Sequence, residues 1–162
     1  MALDQISLAR LAEVHPELSR RVQSLASQLD FPLRITAGIR TVAQQDALYA
    51  QGRTAPGPIV TNAKGTESNH VLGLAVDVVP MDLADVHPDW NSSDAQWQRI
   101  VALAPTCGLR DGISFRDEPH LELAEVPEVP TMQAQLTYTD IGVQAVWEGI
   151  PGLVVTDPEL GM

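Results

Sequence analysis

The chain has 162 residues, of which 44% are hydrophobic, and a formal net charge of −11 at pH 7. This length and apolar content predict one compact domain with a core large enough to fold unaided. The acidic balance argues against nucleic acid as a partner, because phosphate binding needs a basic face. The single cysteine, Cys107, excludes an internal disulfide and a cysteine-rich zinc knuckle.

The N-terminal sequence lacks the basic and apolar regions of a signal peptide, and we find no segment with the length of a membrane span. We therefore expect a protein that is made in the cytoplasm. The first predicted helix begins at Pro16, where Leu18, Val22 and Leu25 recur at helical spacing.

A short strand is predicted after Asp30, in the alternating run FPLRITAG. A second helix follows, because Thr41 and Gln44 have the spacing of a capping box and Gly52 is suited to the C-terminal end. Arg40 is therefore expected at a strand-to-helix junction.

Residues 52–67 are rich in glycine and proline and predict a long irregular loop. The segment LGLAVDVVP is typical of a strand, SSDAQWQRIVALAP of a helix capped by Ser93 and Gln96, and HLEL of a short final strand. Because helices and strands are mixed without regular βαβ alternation, the pattern favours an α+β fold.

Residues 124–162 differ in composition from the rest of the chain. They contain six acidic residues and no lysine or arginine, and they include the proline-containing run EVPEVP. We interpret residues 1–123 as the domain that holds the site, and residues 124–162 as an acidic C-terminal appendage that leaves the packed body along an extended path.

Two histidines and an aspartate are the candidate metal ligands. His70 precedes Asp77 by seven residues, and His120 lies in DEPHLEL. Asp77 falls within the apolar run LAVDVV, where burial of a carboxylate is costly unless a cation or several donors meet it. Strand alternation places His120 and Glu122 on the face opposite Leu121 and Leu123, so Asp77 and His120 face each other if their strands are neighbours.

This donor set matches catalytic zinc, which has three protein ligands and an open position. Hydrolysis also needs a carboxylate that moves a proton, for which Asp117 is the first candidate and Glu118 and Glu122 are rivals. Each residue also has an ordinary interpretation. Asp117, for example, lies in a sequence typical of a turn. Glu122 is a rival for the base because it shares the face of His120.

Three other classes of site compete with this interpretation. A non-haem iron(II) triad is disfavoured because its first histidine and carboxylate are usually two residues apart. A nucleophilic Cys107 lacks a local histidine-bearing motif. A non-catalytic metal-binding module, such as a phage structural component, remains an alternative because fold does not fix function, although Asp117 argues against it.

The motif residues resemble a known enzyme family. Five of them, Ser68, His70, Gly73, Ala75 and Asp77, reproduce the SxHxxGxAxD pattern of the M15 zinc peptidases of peptidoglycan, and DEPHLEL is similar to the second metal motif of that family. The run from ITAGIRT to GLAVD resembles the L-alanyl-D-glutamate endopeptidase branch, which includes phage endolysins and bacterial cell-wall hydrolases. The resemblance extends from about Leu18 to Leu123.

The resemblance implies a small domain of the hedgehog/DD-peptidase type, in which helices flank a central antiparallel sheet that carries a zinc cleft. It implies one Zn²⁺ on His70, Asp77 and His120, and a general base at the position of Asp117. Arg40 would contact the substrate or the oxyanion, and Ser68 would orient the substrate or the metal shell.

The implied substrate is the peptide stem of peptidoglycan, with the L-Ala–D-Glu bond as the first choice and D-Ala removal by a carboxypeptidase or dipeptidase as the alternative. A phage or prophage product released from the cytoplasm would reach the cell wall.

Overall fold

The computed structural model describes residues 3–82, 87–90, 92–112 and 117–153, and for Asp117 and Glu118 it describes the backbone alone. The helices are α1 Gln5–Leu11, α2 Pro16–Ser27, α3 Val42–Ala50, α4 Asp94–Leu103, α5 Met132–Asp140 and α6 Val143–Glu148. The strands are β1 Leu33–Ala37, β2 Ala75–Asp82, β3 His87–Pro88, β4 Leu109–Gly112 and β5 Asp117–Leu123. Short 3₁₀ helices lie at Gly65–Glu67 and Pro105–Cys107.

Three helices begin where the sequence predicts them. Pro16 occupies the first turn of α2, where its missing N–H costs no hydrogen bond. In α3 the Thr41 hydroxyl accepts from the Gln44 N–H at 3.1 Å, and the Gln44 side chain accepts from the Thr41 N–H at 2.9 Å. The same reciprocal capping joins Ser93 and Gln96 at the start of α4. Among the described residues, no helix combines the length and apolar character needed to cross a lipid bilayer.

The sheet has the strand order β1-β2-β5-β4, every neighbouring pair is antiparallel, and β3 pairs with the far end of β2. This confirms the predicted α+β architecture with a central antiparallel sheet. Alternate residues of the two central strands, including Val76, Val78, Leu121 and Leu123, point into the core against α2. The opposite face of β2 and β5 therefore carries Asp77 and His120.

The C-terminal residues 124–153 pack on this body. Val126, Val146 and Trp147 are buried in the same hydrophobic cluster as Leu18 and Leu121. The predicted extended departure at EVPEVP is followed by two helices, and α5 buries none of its own residues. The division into a domain of residues 1–123 and an appendage of residues 124–162 stays a prediction. Below, residues 124–153 are called the C-terminal segment.

Candidate metal centre

Asp77 and His120 are opposite residues on neighbouring strands. In the antiparallel pairing of β2 with β5, Ala75 lies opposite Glu122 and Asp77 lies opposite His120. The two side chains leave the same face of the sheet because side-chain direction alternates along both strands. Nδ1 of His120 is 3.7 Å from Oδ1 of Asp77. The sheet register thus brings together two of the three predicted ligands.

The third predicted ligand, His70, lies in the turn that leads into β2. The N–H of His70 donates to Oγ of the buried Ser68 at 3.2 Å, and Gly73, at φ 68, lets the chain reverse before the strand. Nδ1–H of His70 donates to the Gly38 carbonyl at 3.0 Å. Because that contact fixes the ring, Nε2 faces Oδ1 of Asp77 at 3.2 Å.

The three side chains form a group suited to a metal ion. One donor atom from each of His70, Asp77 and His120 lies within 4.8 Å of the others. Neighbouring ligands in a tetrahedral zinc site are about 3.3 Å apart, given bond lengths of about 2.0–2.1 Å. The observed separations from Asp77, 3.2 Å to His70 and 3.7 Å to His120, match that spacing. Two imidazole nitrogens and one carboxylate oxygen are also a donor set found in zinc sites.

The site is buried and electrostatically coupled. Burial alone would raise the pKa of Asp77, but the neighbouring His70 and His120 side chains favour the carboxylate more strongly and hold its pKa well below the usual range. Burial would likewise lower the pKa of His120, yet the carboxylates of Asp77 and Glu122, each 3.7 Å from a ring nitrogen, raise it to about 9. In the absence of a metal ion, a protonated His120 thus faces the carboxylates of Asp77 and Glu122.

Arg40 lies at the predicted strand-to-helix junction and contacts the centre directly. Its backbone N–H donates to the His70 carbonyl at 3.1 Å, and its Nη2 donates to Oδ2 of Asp77 at 3.0 Å. Nη1 also donates to Oε1 of the buried Gln45 at 3.3 Å. The guanidinium therefore orients the carboxylate whose other oxygen faces the histidines.

An open cleft of about 610 Å³ lies beside the centre, between α1, the end of β1 and α3. Its lining includes Arg10, Gly38, Arg40, Gln44 and Leu48. Arg40 thus belongs both to the cleft and to the group around Asp77. Gly38 also lines the cleft and contacts the centre, since its carbonyl accepts from Nδ1–H of His70.

Among the carboxylates considered as the base, Glu122 occupies a closed environment. It is fully buried, it pairs with Nη2 of Arg110 at 3.1 Å, and it accepts from Nδ2 of Asn69. Its Oε2 lies 3.7 Å from Nε2 of His120. This geometry is that of a partner which orients His120. The backbone of Asp117 pairs with Gly112, and the side chains of Asp117 and Glu118 lie outside the described residues.

The sequence interpretation missed Asn69, Arg110 and Trp147, which surround the ligands. A buried Glu122 implies a cationic partner, so the strand alternation contained an indirect signal for an arginine such as Arg110. Asn69 sits beside His70 in the motif, but its position alone did not indicate what its amide contacts. The contact of Trp147 with the turn after His70 depends on tertiary packing and has no local signal.

A family comparison matches this arrangement. The sequence model of the phage L-alanyl-D-glutamate peptidases matches residues 1–118. The chain belongs to this peptidase family. The match confirms the resemblance to the L-alanyl-D-glutamate endopeptidase branch of the M15 peptidases, and it ends before the C-terminal segment.

Individual relatives agree with this assignment. The chain is 36% identical over 124 residues to the peptidoglycan L-alanyl-D-glutamate endopeptidase CwlK of Bacillus subtilis (strain 168), covering 69% of this chain and 74% of the relative. The crystal structure of the L-Ala D-Glu endopeptidase ChiX of Serratia marcescens matches with a TM-score of 0.54 at 26% identity, covering 74% of this chain and 86% of that one. The vancomycin resistance D,D-dipeptidase VanXYg shares the fold, with a TM-score of 0.51 at 14% identity. The match covers 83% of this chain and 58% of that one.

Proposed function

We propose that the protein is a zinc-dependent endopeptidase that hydrolyses the peptide stem of peptidoglycan at the L-Ala–D-Glu bond. The observation that carries the proposal is the convergence of His70, Asp77 and His120 within 4.8 Å, in a chain of a peptidase family whose relatives CwlK and ChiX are L-Ala–D-Glu endopeptidases. Removal of a terminal D-Ala is less well supported, because the D,D-dipeptidase relative is similar in fold alone.

In this proposal the ligands of a single zinc ion are Nε2 of His70, Oδ1 of Asp77 and Nδ1 of His120. Zinc supplies Lewis-acid activation of water and of the scissile carbonyl when it is bound. The chain holds the donors in place through the Gly38 carbonyl behind His70, Arg40 behind Asp77 and Glu122 beside His120. Such outer contacts fix the ring orientation and the tautomer of a ligating histidine.

Asp117 is the proposed general base. It would accept a proton from the attacking water and pass it to the leaving amine of the cleaved bond. Its place three residues before His120 on β5 brings its backbone to the same strand as that ligand. Glu122 is less suited to this task, since it is fully buried and already pairs with Arg110.

Arg40 and Ser68 have proposed supporting roles. The guanidinium of Arg40 lines the open cleft as well as contacting Asp77, so its further N–H groups are positioned for a substrate oxygen or the developing oxyanion. The buried hydroxyl of Ser68 accepts from the N–H of His70, which supports a role in orienting the metal shell. We propose that the stem peptide enters through this cleft.

The setting of the reaction is also a proposal. A protein of the phage peptidase family would act on the cell wall after release from the cytoplasm, as a phage or prophage product. Its net charge of −11 predicts weak general attraction to an anionic envelope, so recognition would depend on the stem peptide itself.

Mass spectrometry of fragments released from defined muropeptides tests the activity and the bond together. We expect cleavage between L-Ala and D-Glu, loss of cleavage after chelation, and recovery when Zn²⁺ is added back. Release of D-Ala alone would support the carboxypeptidase alternative. Full activity in the presence of the chelator would refute the metallopeptidase proposal.

A further inference from the structure

We propose that the C-terminal segment positions the metal centre, with Asn69 and Trp147 as the positioning residues. The proposal rests on the proposed zinc site. Asn69 lies within the family match, which ends at residue 118, whereas the C-terminal segment with Trp147 lies beyond it. The segment contacts both sides of the turn 69–73 that carries His70 into β2.

Trp147 of α6 fixes the end of this turn. Its Nε1–H donates to the Leu72 carbonyl at 2.7 Å in a buried environment. The turn fits closely against the indole, because a Cβ added to Gly73 would lie 2.7 Å from Cζ2 of Trp147. On the other side, the N–H of His15 donates to the Gly73 carbonyl at 2.9 Å, and its ring packs edge-on to the indole with centroids 5.4 Å apart.

Asn69 fixes the beginning of the turn, directly before His70. Its Nδ2 donates to the carbonyls of Pro127 at 2.9 Å and Glu128 at 3.3 Å. The same nitrogen donates to Oε2 of Glu122 on β5. One buried amide therefore joins the residue next to a ligand, the central sheet and the backbone of the C-terminal segment.

Arg110 extends these contacts to the second histidine. Its Nη2 donates to the Val126 carbonyl at 2.7 Å and lies 3.1 Å from Oε1 of Glu122. Glu122 in turn lies 3.7 Å from Nε2 of His120. Because Glu122 is fully buried, its position depends on these charged and polar partners.

The segment therefore contacts the environment of His70 at two points and that of His120 at one. Removing a partner that bonds directly to a metal ligand typically changes metal affinity or activity by about 10–100-fold. The contacts of the segment act one step further out, through the backbone of the turn and through Glu122, so we take the lower end of that range as the expected effect. Binding linkage adds a reciprocal consequence: if the segment strengthens zinc binding, bound zinc must stabilise the segment by the same free energy. A segment that only covers apolar surface would lack this coupling.

The test compares two Trp→Phe variants of the full chain. Trp147→Phe removes the donor to Leu72 but keeps an aromatic ring in the core, whereas Trp90→Phe makes the same change at a tryptophan that is 59% exposed. Zinc dissociation constants are measured by chelator competition on metal-free protein, together with the visible spectrum of the Co²⁺ form. We expect Trp147→Phe to weaken zinc binding at least about 10-fold and to alter the Co²⁺ spectrum, while Trp90→Phe stays within twofold of the wild type.

Asn69→Ala is the second variant, with the same expected loss of zinc affinity. Thermal unfolding of each metal-free variant shows the temperature range in which it is folded, and affinities are compared within that range. Folded Trp147→Phe and Asn69→Ala proteins with the affinity and Co²⁺ spectrum of the wild type would overturn the positioning role.

A further measurement needs no variant. Hydrogen exchange of the wild type should slow in α6, relative to α4, when zinc is bound, and identical exchange in both states would contradict the coupling. A wild type that binds no zinc and cleaves no muropeptide would refute the proposed function and this inference with it. A wild type that does both, with unaffected variants, would refute this inference alone.

Discussion

Arg40 and Asp77, far apart in the sequence, form an ion pair in which Nη2 of the arginine lies 3.0 Å from Oδ2 of the aspartate. The other oxygen, Oδ1, faces Nε2 of His70 at 3.2 Å. The guanidinium thus occupies one carboxylate oxygen and directs the second toward the histidines. Asp77 is therefore oriented to bind a cation through one oxygen.

Arg40→Gln should weaken zinc binding and lower turnover, because the carboxylate loses the partner that orients it. We expect a loss of zinc affinity of about 10-fold or more, measured by chelator competition, and a decrease in kcat/KM on muropeptides. Arg20→Gln is the matched control, since Arg20 has an exposed side chain and pairs with Glu17. Unchanged zinc affinity and kinetics in Arg40→Gln would exclude both proposed roles of this residue.

Asp117→Asn should keep zinc but lose turnover by about 10²-fold or more, the usual cost of removing a general base. Zinc content and affinity are measured beside kcat to separate the two effects. Glu118→Gln makes the equivalent change at the neighbouring carboxylate and should retain most of the activity. If Glu118→Gln is inactive while Asp117→Asn turns over normally, the base is Glu118.

Local sequence patterns predicted much of the sheet and three of the helices. The alternation of apolar residues around Asp77 and His120 placed both on the face opposite the core, and the capping pairs Thr41–Gln44 and Ser93–Gln96 fixed the starts of α3 and α4. These features depend on period-two alternation and on contacts three residues apart, which a sequence displays directly. The sequence predicts that Asp77 and His120 face each other only if β2 and β5 are neighbours, and the structure shows that pairing.

The contacts of the C-terminal segment were not predictable in this way. Helix α5 has no fully buried residue and packs on the core only through partly buried side chains such as Ala134 and Tyr138, and α6 has only six residues. The acidic, proline-containing sequence of the C-terminal segment predicts departure from the body. In the structure, Trp147 of this segment packs on the turn after His70. The backbone carbonyls that accept from Asn69 and Arg110 carry no sequence signature at all.

Zinc affinity should rise with pH across the neutral range. The neighbouring carboxylates of Asp77 and Glu122 outweigh the effect of burial and raise the pKa of His120 to about 9, so the metal-free site holds a proton there at pH 7. Zinc must displace this proton because a ligating imidazole is neutral. We expect affinity to increase by up to about tenfold per pH unit below pH 9, one proton being released per ion bound. Zinc titrations at pH 6, 7 and 8 measure this change in affinity. A pH-independent affinity without proton release would contradict the assignment of His120 as a zinc ligand.

His15 should make the metal-free protein less stable as the pH falls below about 6.5, the ordinary histidine pKa. Burial lowers the pKa of His15 in the folded state more than the nearby Glu17 carboxylate raises it. Protonation would also remove the Nδ1 acceptor of the Glu17 N–H, a 3.0 Å bond that caps α2. The unfolded chain therefore binds more protons than the folded one in the window below pH 6.5. The free energy of unfolding consequently decreases as the pH is lowered through that window.

The His15→Asn variant isolates this contribution, because asparagine keeps a side-chain acceptor for the helix cap and does not titrate. Free energies of unfolding are measured by urea titration of both proteins with a chelator present, from pH 7.5 to pH 5. The stability of the wild type should fall relative to that of His15→Asn as the pH is lowered through this window. A constant difference between the two proteins would mean that His15 takes up its proton equally in the folded and unfolded states, despite its burial against Trp147.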